Sequence, residues 1–251
     1  MNRSRTVLGV LVLAAASVVG LAGPAQAIDE VAPQVNFNRA VKPVLGTQLS
    51  DSTSRPSISA TVAWTAYDPS GVSYQQAQVY NYDTRTTTYV TLSAGQRSFD
   101  FTFRIGTSYR VALWAQDPLG NGSYSYLYPY FSMSQEGAAT LSPGWSTSNC
   151  NCWSGGAVLK NTKANAKATY AFSGTSIAFV GDQASDRGTA KIFVDGVQRA
   201  TVNMQRNNKV NRLLASVRGF AAGGQHTIQI VVQGTAGHPR VDVDAFVVGN
   251  A

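Results

Sequence analysis

Paired carboxylates are the first residues in this chain whose types and spacing could do chemistry. Asp182, Asp186, Asp195, Asp242 and Asp244 lie in its second half, and two carboxyl groups flanking a glycosidic bond can cleave it as acid and base. Simpler readings cover most of them. Asp195 precedes Gly196, the pair favoured in a type I′ hairpin turn. Asp242 and Asp244 alternate with Val241 and Val243, so they share a strand face, where they could ligate calcium, hold a sugar or cap the strand end. The chain has no Gly-x-Ser-x-Gly elbow, no His-Glu-x-x-His pair and no phosphate-cradling glycine loop. Gln183 follows Gly181-Asp182 where a nucleophilic serine would be required. His226 stands in an alternating strand as a structural residue, and His238 lies in a Gly/Pro loop. Nucleophile, base and orienting group never assemble, so the expectation is a protein that is not an enzyme, with no catalytic residue.

Binding chemistry is better supplied. A sugar site combines an apolar, often aromatic surface with a few placed polar groups. In the second half the candidates are Trp145 and Trp153, the polar turn Asp182, Gln183, Asp186 and Arg187, and Asp244. In the first half, Tyr109, Val111, Leu113 and Ala115 share one side of a strand, which turns Arg110, Ala112 and Trp114 to the other. A preceding strand that buries Ala77 and Val79 leaves Tyr74, Gln76, Gln78, Tyr80 and Tyr82 outward. A following one that buries Leu127 and Phe131 leaves Tyr124, Tyr126, Tyr128 and Tyr130 outward, and the three together predict a contiguous aromatic face around Trp114. That face is expected either to receive the second half of the chain, the preferred reading because tethering makes the contact intramolecular, or to stack on polysaccharide. The two cysteines, Cys150 and Cys152, flank Asn151 alone and cannot join distant segments. A local disulfide is expected; a reduced pair, half of a metal site and an intermolecular link are the alternatives. No cofactor is expected beyond the calcium that paired aspartates could take.

The elements that must position these residues are strands. Val, Thr, Tyr and Phe alternate with polar residues between Gly, Asp and Asn punctuation throughout, and the one stretch with helical spacing, 209–222, is cut by Gly219 and then by Gly223 and Gly224. A small-residue segment, 134–143, separates two blocks. The first, residues 28–136, carries Thr61-Val-Ala-Trp64, Asp68-Pro-Ser-Gly71 and Tyr109 ahead of Asp117-Pro-Leu-Gly120-Asn121, and on these it resembles bacterial fibronectin type III or Ig-like domains. The resemblance implies a core Trp64 and a corner Tyr109 but no particular activity. Residues 117–121 read as a hairpin turn rather than a calcium loop, which needs regularly alternating acidic ligands. The second block, residues 144–251 after a linker at 137–143, yields about eight strands by its alternation. Its Gly144-Trp145, Trp153-Ser-Gly-Gly156, Asp186-Arg187-Gly188, Val194-Asp195-Gly196, Gln225-His226-Thr and Val241-Asp242-Val-Asp244-Ala-Phe246 resemble the galactose-binding-like jelly rolls attached to bacterial extracellular hydrolases. That resemblance implies a carbohydrate-binding module or a structural accessory; the Cys-Asn-Cys insertion departs from its pattern. The fold expected is all-β: two antiparallel sandwiches in tandem, Ig/fibronectin-III-like and then jelly roll.

Residues 1–27 have Arg3 and Arg5, an apolar run over 7–21 and a small-residue end at Ala25-Gln-Ala27, the arrangement of a cleavable signal peptide. The run is interrupted by Ser17 and stops near Pro24, short of the about 20 residues a membrane span needs. The mature protein is therefore expected outside the cell, free or associated with the wall, without membrane insertion. The whole chain has 20 Lys and Arg against 13 Asp and Glu, a net +7; without Arg3 and Arg5 the mature part keeps +5. These charges are scattered and form no dense nucleic-acid patch. A cell-surface glycan or polysaccharide is the expected partner, and a structural or adhesive role through protein contacts is the alternative.

Overall fold

In the computed structural model, described for residues 29–49 and 56–251, alternation produces strands throughout and the fold is all-β. The expected signal peptide lies outside the described residues. The first block supplies β1 (Gln34–Phe37), β2 (Lys42–Pro43), β3 (Ser57–Tyr67), β4 (Tyr74–Asn81), β5 (Thr86–Leu92), β6 (Ser98–Arg104), β7 (Tyr109–Gln116), β8 (Gly122–Leu127) and β9 (Tyr130–Gln135). β3 pairs with β6 on one edge and with β2 on the other, and β1 pairs with its C-terminal end; a second sheet runs in the order β5-β4-β7-β8. The period-2 pattern of β3 turns Ile58, Ala60, Val62 and Trp64 inward against Val79, Phe99, Val111 and Leu113. Trp64 is 3% exposed and donates its indole N–H to Gln75 Oε1 at 2.8 Å, so burying the ring leaves no polar atom unpaired. Tyr109, at the start of β7, is buried and its hydroxyl accepts the Arg104 backbone N–H at 3.0 Å and Asn81 Nδ2 at 3.3 Å. The turn at 117–121 joins β7 to β8, and Asp117 holds it by accepting from the backbone N–H groups of Leu119 and Asn121.

The second block continues with β10 (Thr140–Leu141), β11 (Ser146–Asn149), β12 (Ala157–Asn161), β13 (Lys167–Ser173), β14 (Ser176–Gln183), β15 (Thr189–Val194), β16 (Val197–Asn203), β17 (Val210–Arg218), β18 (Gln225–Val232), β19 (Val241–Val243) and β20 (Ala245–Asn250). Three sheets result, in the orders β10-β13-β18-β15-β16, β11-β12-β19 and β17-β14-β20-β9. The stretch with helical spacing is strand β17, ended at Arg218 before Gly219, whose φ is +97°. Asp195 and Gly196 both have positive φ, 51° and 76°, and close the β15–β16 hairpin, as a type I′ turn requires.

β14 and β20 are buried along nearly their whole length. They read as continuous apolar runs because their sheet is covered on both faces. Ile177, Phe179, Phe246 and Val248 face a core shared with β13, β15 and β18. Ala178, Val180, Leu213, Ala245 and Val247 face the core of the first block. Residues 39–49 pass alongside: Val41 and Leu49 are buried in that same core, and Gly46 N–H donates to Leu213 O at 2.8 Å. β9, the last strand of the first block, pairs over Tyr130–Gln135 with β20 and so forms the edge of a second-block sheet. The segment expected as a linker holds part of a single 3-10 turn, Glu136–Ala138, and then β10, which pairs with β13. Val31–Ala251 accordingly forms one compact unit.

Candidate functional site

The outer face of the β5-β4-β7-β8 sheet is set by register. Thr91, Gln76, Trp114 and Tyr124 stand side by side across the four strands; Tyr89, Gln78, Ala112 and Tyr126 form the next row; Thr87, Tyr80 and Arg110 begin a third. Tyr89 is 64% exposed, Tyr126 50% and Tyr124 49%. The rings contact one another: Trp114 and Tyr124 centroids lie 4.6 Å apart, and Tyr124 and Tyr126 are stacked at 6.0 Å. The Trp114 ring lies over Gly122, the diagonal neighbour that pairs with Gln116, where a Cβ would overlap the indole; an aromatic ring covering a strand glycine in this way also restores the packing the glycine lacks. Arg110 sits between two rings, its guanidinium carbon 5.6 Å from the Tyr80 centroid and 5.9 Å from that of Tyr126. Tyr82 meets Tyr80 edge-on at 5.0 Å. The result is a broad, flat, largely aromatic surface carrying Gln, Thr and Arg, on a sheet whose other side is packed core.

Trp114, Tyr124 and Tyr126 thus share the side expected of them, but two expectations need correction. The tyrosine stripe is broken after Tyr126: β8 stops at Leu127, Tyr128 and Pro129 lie between strands, and Tyr130 belongs to β9. Proline offers no ladder N–H, and the chain here leaves one sheet for another, so Tyr82, Tyr128 and Tyr130 instead line a groove with Ser108 and Pro129 beside the face. Nor does the second block cover this face. It packs through β14, β17 and β20 against the first-block core, and the aromatic rings stay open. Tyr89 was missed as a contributor, although Thr87, Tyr89 and Thr91 alternate and so share a side.

The second-block candidates divide differently. Asp182, Arg187 and Asp244 are buried, as is Asp242, so they are not offered to a surface ligand. Arg187 is their hub: it reaches Asp242 Oδ2 from Nε at 2.7 Å and Asp182 Oδ2 from Nη2 at 2.6 Å, and it also pairs with the exposed Asp186. Arg240 takes Asp242 Oδ1 at 2.7 Å. Asp242 is therefore shared by two guanidinium groups, and Asp244, which accepts the Ser154 backbone N–H at 3.3 Å and the Asn211 side-chain amide, has separate partners. Burial pushes the Asp182 carboxyl up; Arg187 opposes this and Asp242 adds to it. Burial pushes Asp244 up to about 7, against the hydrogen bonds from Asn211 and Ser154 and with the help of Glu136 and Asp182. Sequence reasoning missed Asn211, Glu136 and Arg240 here, since nothing in their local pattern marks them. Gln183, at the end of β14, keeps its side chain near the surface.

Cys150 and Cys152 are joined, with Cα atoms 5.1 Å apart. Their loop buries Trp153 to 5% exposure under Lys209, whose ammonium lies 4.2 Å from the ring centroid. Trp145 packs against the second core and donates its N–H to Lys167 O at 3.0 Å. Neither indole lies free for stacking as Tyr89 and Tyr126 do. His226 is structural, bonded to Asp195 Oδ2 at 2.8 Å and packed against Phe172 and Phe220.

No family model matches the chain, and no curated protein matches it. Solved structures are similar to parts of it. The CBM36-1 domain of a multidomain xylanase from the hindgut metagenome of Trinervitermes trinervoides is 20% identical, over 48% of this chain and 98% of its own, with a TM-score of 0.37. A carbohydrate-binding module CBM36 in complex with calcium and xylotriose is 14% identical, over 47% of this chain and 99% of its own, with a TM-score of 0.35. A Paenibacillus xanthan lyase is 13% identical, over 86% of this chain and 22% of its own, with a TM-score of 0.39.

Proposed function

We propose that this is an exported, non-catalytic glycan-binding protein whose contact surface is the aromatic face of the β5-β4-β7-β8 sheet. The observation that carries the reading is the open cluster of Trp114, Tyr124, Tyr126 and Tyr89, interleaved with Gln76, Gln78 and Thr91 on a rigid sheet. Pyranose rings present apolar C–H faces and a rim of hydroxyls. Aromatic rings lying on a flat backbone meet the first, and amide and hydroxyl side chains meet the second. Such an exposed apolar patch on a soluble domain marks a contact site. The non-catalytic reading is supported by the carboxylates of the second block: Asp182, Asp186 and Asp242 are engaged with Arg187 and Arg240. Export rests on the N-terminal pattern of Arg3, Arg5 and the apolar run. The sheet orders and the Tyr109 hydroxyl bond to Arg104 support an Ig/fibronectin-III-like reading of the first block, with the second block as its jelly-roll partner.

Purified mature protein applied to a panel of soluble and insoluble polysaccharides tests this directly. Binding to at least one polymer is expected, weakened about tenfold or more by Trp114→Ala with Tyr126→Ala, since losing ~1.4 kcal/mol of stacking is a tenfold change. Retention by no polysaccharide, together with recovery of a protein partner sensitive to the same two substitutions, would replace this reading with the adhesive one.

A further inference from the structure

Among the described residues Arg110 is the one cation on the aromatic face. It is half-buried on β7, held between Tyr80 and Tyr126, and its Nε–H is enclosed with no hydrogen-bond acceptor. Among the described residues no carboxylate pairs with it, whereas Arg187 and Arg240 on the other block are both engaged by aspartates. No acceptor among the described residues takes the Nε–H, so the charge of this guanidinium is not neutralised within the fold. The two rings lie beside the guanidinium and shield part of it from water, which strengthens any charge-assisted bond it makes. A planar guanidinium fork matches a carboxylate through two parallel N–H···O bonds. Ala112 separates Arg110 from Trp114 along the strand, and Gln78 and Tyr126 flank Ala112 on either side. A ring stacked on Tyr126 or Trp114 would thus have a positive fork at one edge and amide groups at another.

We propose that the ligand of this face is an acidic polysaccharide, whose sugar rings stack on Trp114, Tyr124 and Tyr126 while Arg110 takes a uronate carboxylate. The proposal rests on the glycan-binding reading and narrows it to carboxylated sugars. Without Arg3 and Arg5 the chain still has a net charge of +5 (20 basic residues less those two, against 13 acidic), which adds long-range attraction for a polyanion. The local fork selects a carboxylate, and the rings select a pyranose over a bare anionic chain.

Affinity electrophoresis in polygalacturonate, in the same polymer fully methyl-esterified and in dextran sulfate, at physiological salt, tests this. The wild-type protein is expected to bind polygalacturonate about tenfold more tightly than the ester, the scale of one charge-assisted pair, and more tightly than dextran sulfate. Arg110→Gln should bring the ratio of acid to ester close to one. Arg110→Lys, which keeps the charge and loses the fork, should recover only part of the ratio. Trp114→Ala should weaken both. Equal wild-type affinity for acid and ester, a ratio untouched by Arg110→Gln, or dextran sulfate bound as tightly as polygalacturonate would overturn the uronate assignment while leaving glycan binding in place. Failure to bind these polymers and every neutral polysaccharide of the panel would instead overturn the glycan-binding reading itself.

Discussion

At the scale of single residues, the polar atoms buried in this protein carry sharper consequences than the apolar ones. Trp64 fills the first core and satisfies its N–H with Gln75, so Trp64→Ala should cost about 3–5 kcal/mol in chemical denaturation, from the cavity it leaves. Arg187→Met should cost a similar ~3–5 kcal/mol, because it leaves Asp182 and Asp242 buried with less countercharge; a smaller loss would show that water reaches the cluster. Asp244 gives a pH signature of defined sign. Its folded pKa is raised to about 7, above the ~3.9 of an unfolded chain, so the folded state holds a proton that the unfolded state releases between those values. Stability is then fully present below about pH 4 and falls as pH rises toward 7, by up to about 4 kcal/mol for this group. Burial raises Asp182 in the same direction. Denaturation curves at pH 5 and pH 8 should differ in that sense for the wild type, and Asp244→Asn should flatten the difference.

At the scale of elements, strand register builds the platform and one glycine tunes it. Gly122 leaves the space in which the Trp114 ring lies flat. Gly122→Ala should force the indole off the sheet and weaken polysaccharide binding about as much as removing the ring, with little change in melting temperature because Trp114 faces away from the core. Unaltered binding by that variant would mean that the ring's orientation is unimportant to the ligand. Pro129 acts at the same scale: it ends the pairing of β8 and lets the chain cross to β20, turning what would be a continuous tyrosine row into a platform and a neighbouring groove.

At the scale of the whole molecule, the β17-β14-β20-β9 sheet lies between two cores and has a strand from each block. A sheet shared in this way couples the blocks energetically, since losing β20 would expose apolar surface on both of its faces. Heating should therefore give one calorimetric transition with equal calorimetric and van't Hoff enthalpies. Val247→Asp, which puts a charge into the first-block core from a second-block strand, should lower that single transition; two resolved transitions in the wild type would show that the blocks unfold independently.

The sequence by itself determined the strands and their faces. Period-2 alternation follows from the pleat, so Trp64, Tyr109, Val111 and Leu113 inside and Trp114, Tyr124 and Tyr126 outside could be read without coordinates, as could the Asp195-Gly196 turn and the Cys150–Cys152 link. Local pattern is silent about what stacks against a face once it is formed. Only the tertiary structure decided that β9 leaves its own block for β20, that the second block lies against the first core, and that the aromatic face stays open. It also decided that Asp182, Arg187 and Asp244, polar residues that read as surface candidates, are buried among partners from β17, β19 and the loop after Trp153. The reason is physical: the side a residue takes in a strand is set by the local period of two, whereas burial of a charge depends on partners from other strands that arrive only when the sheets pack.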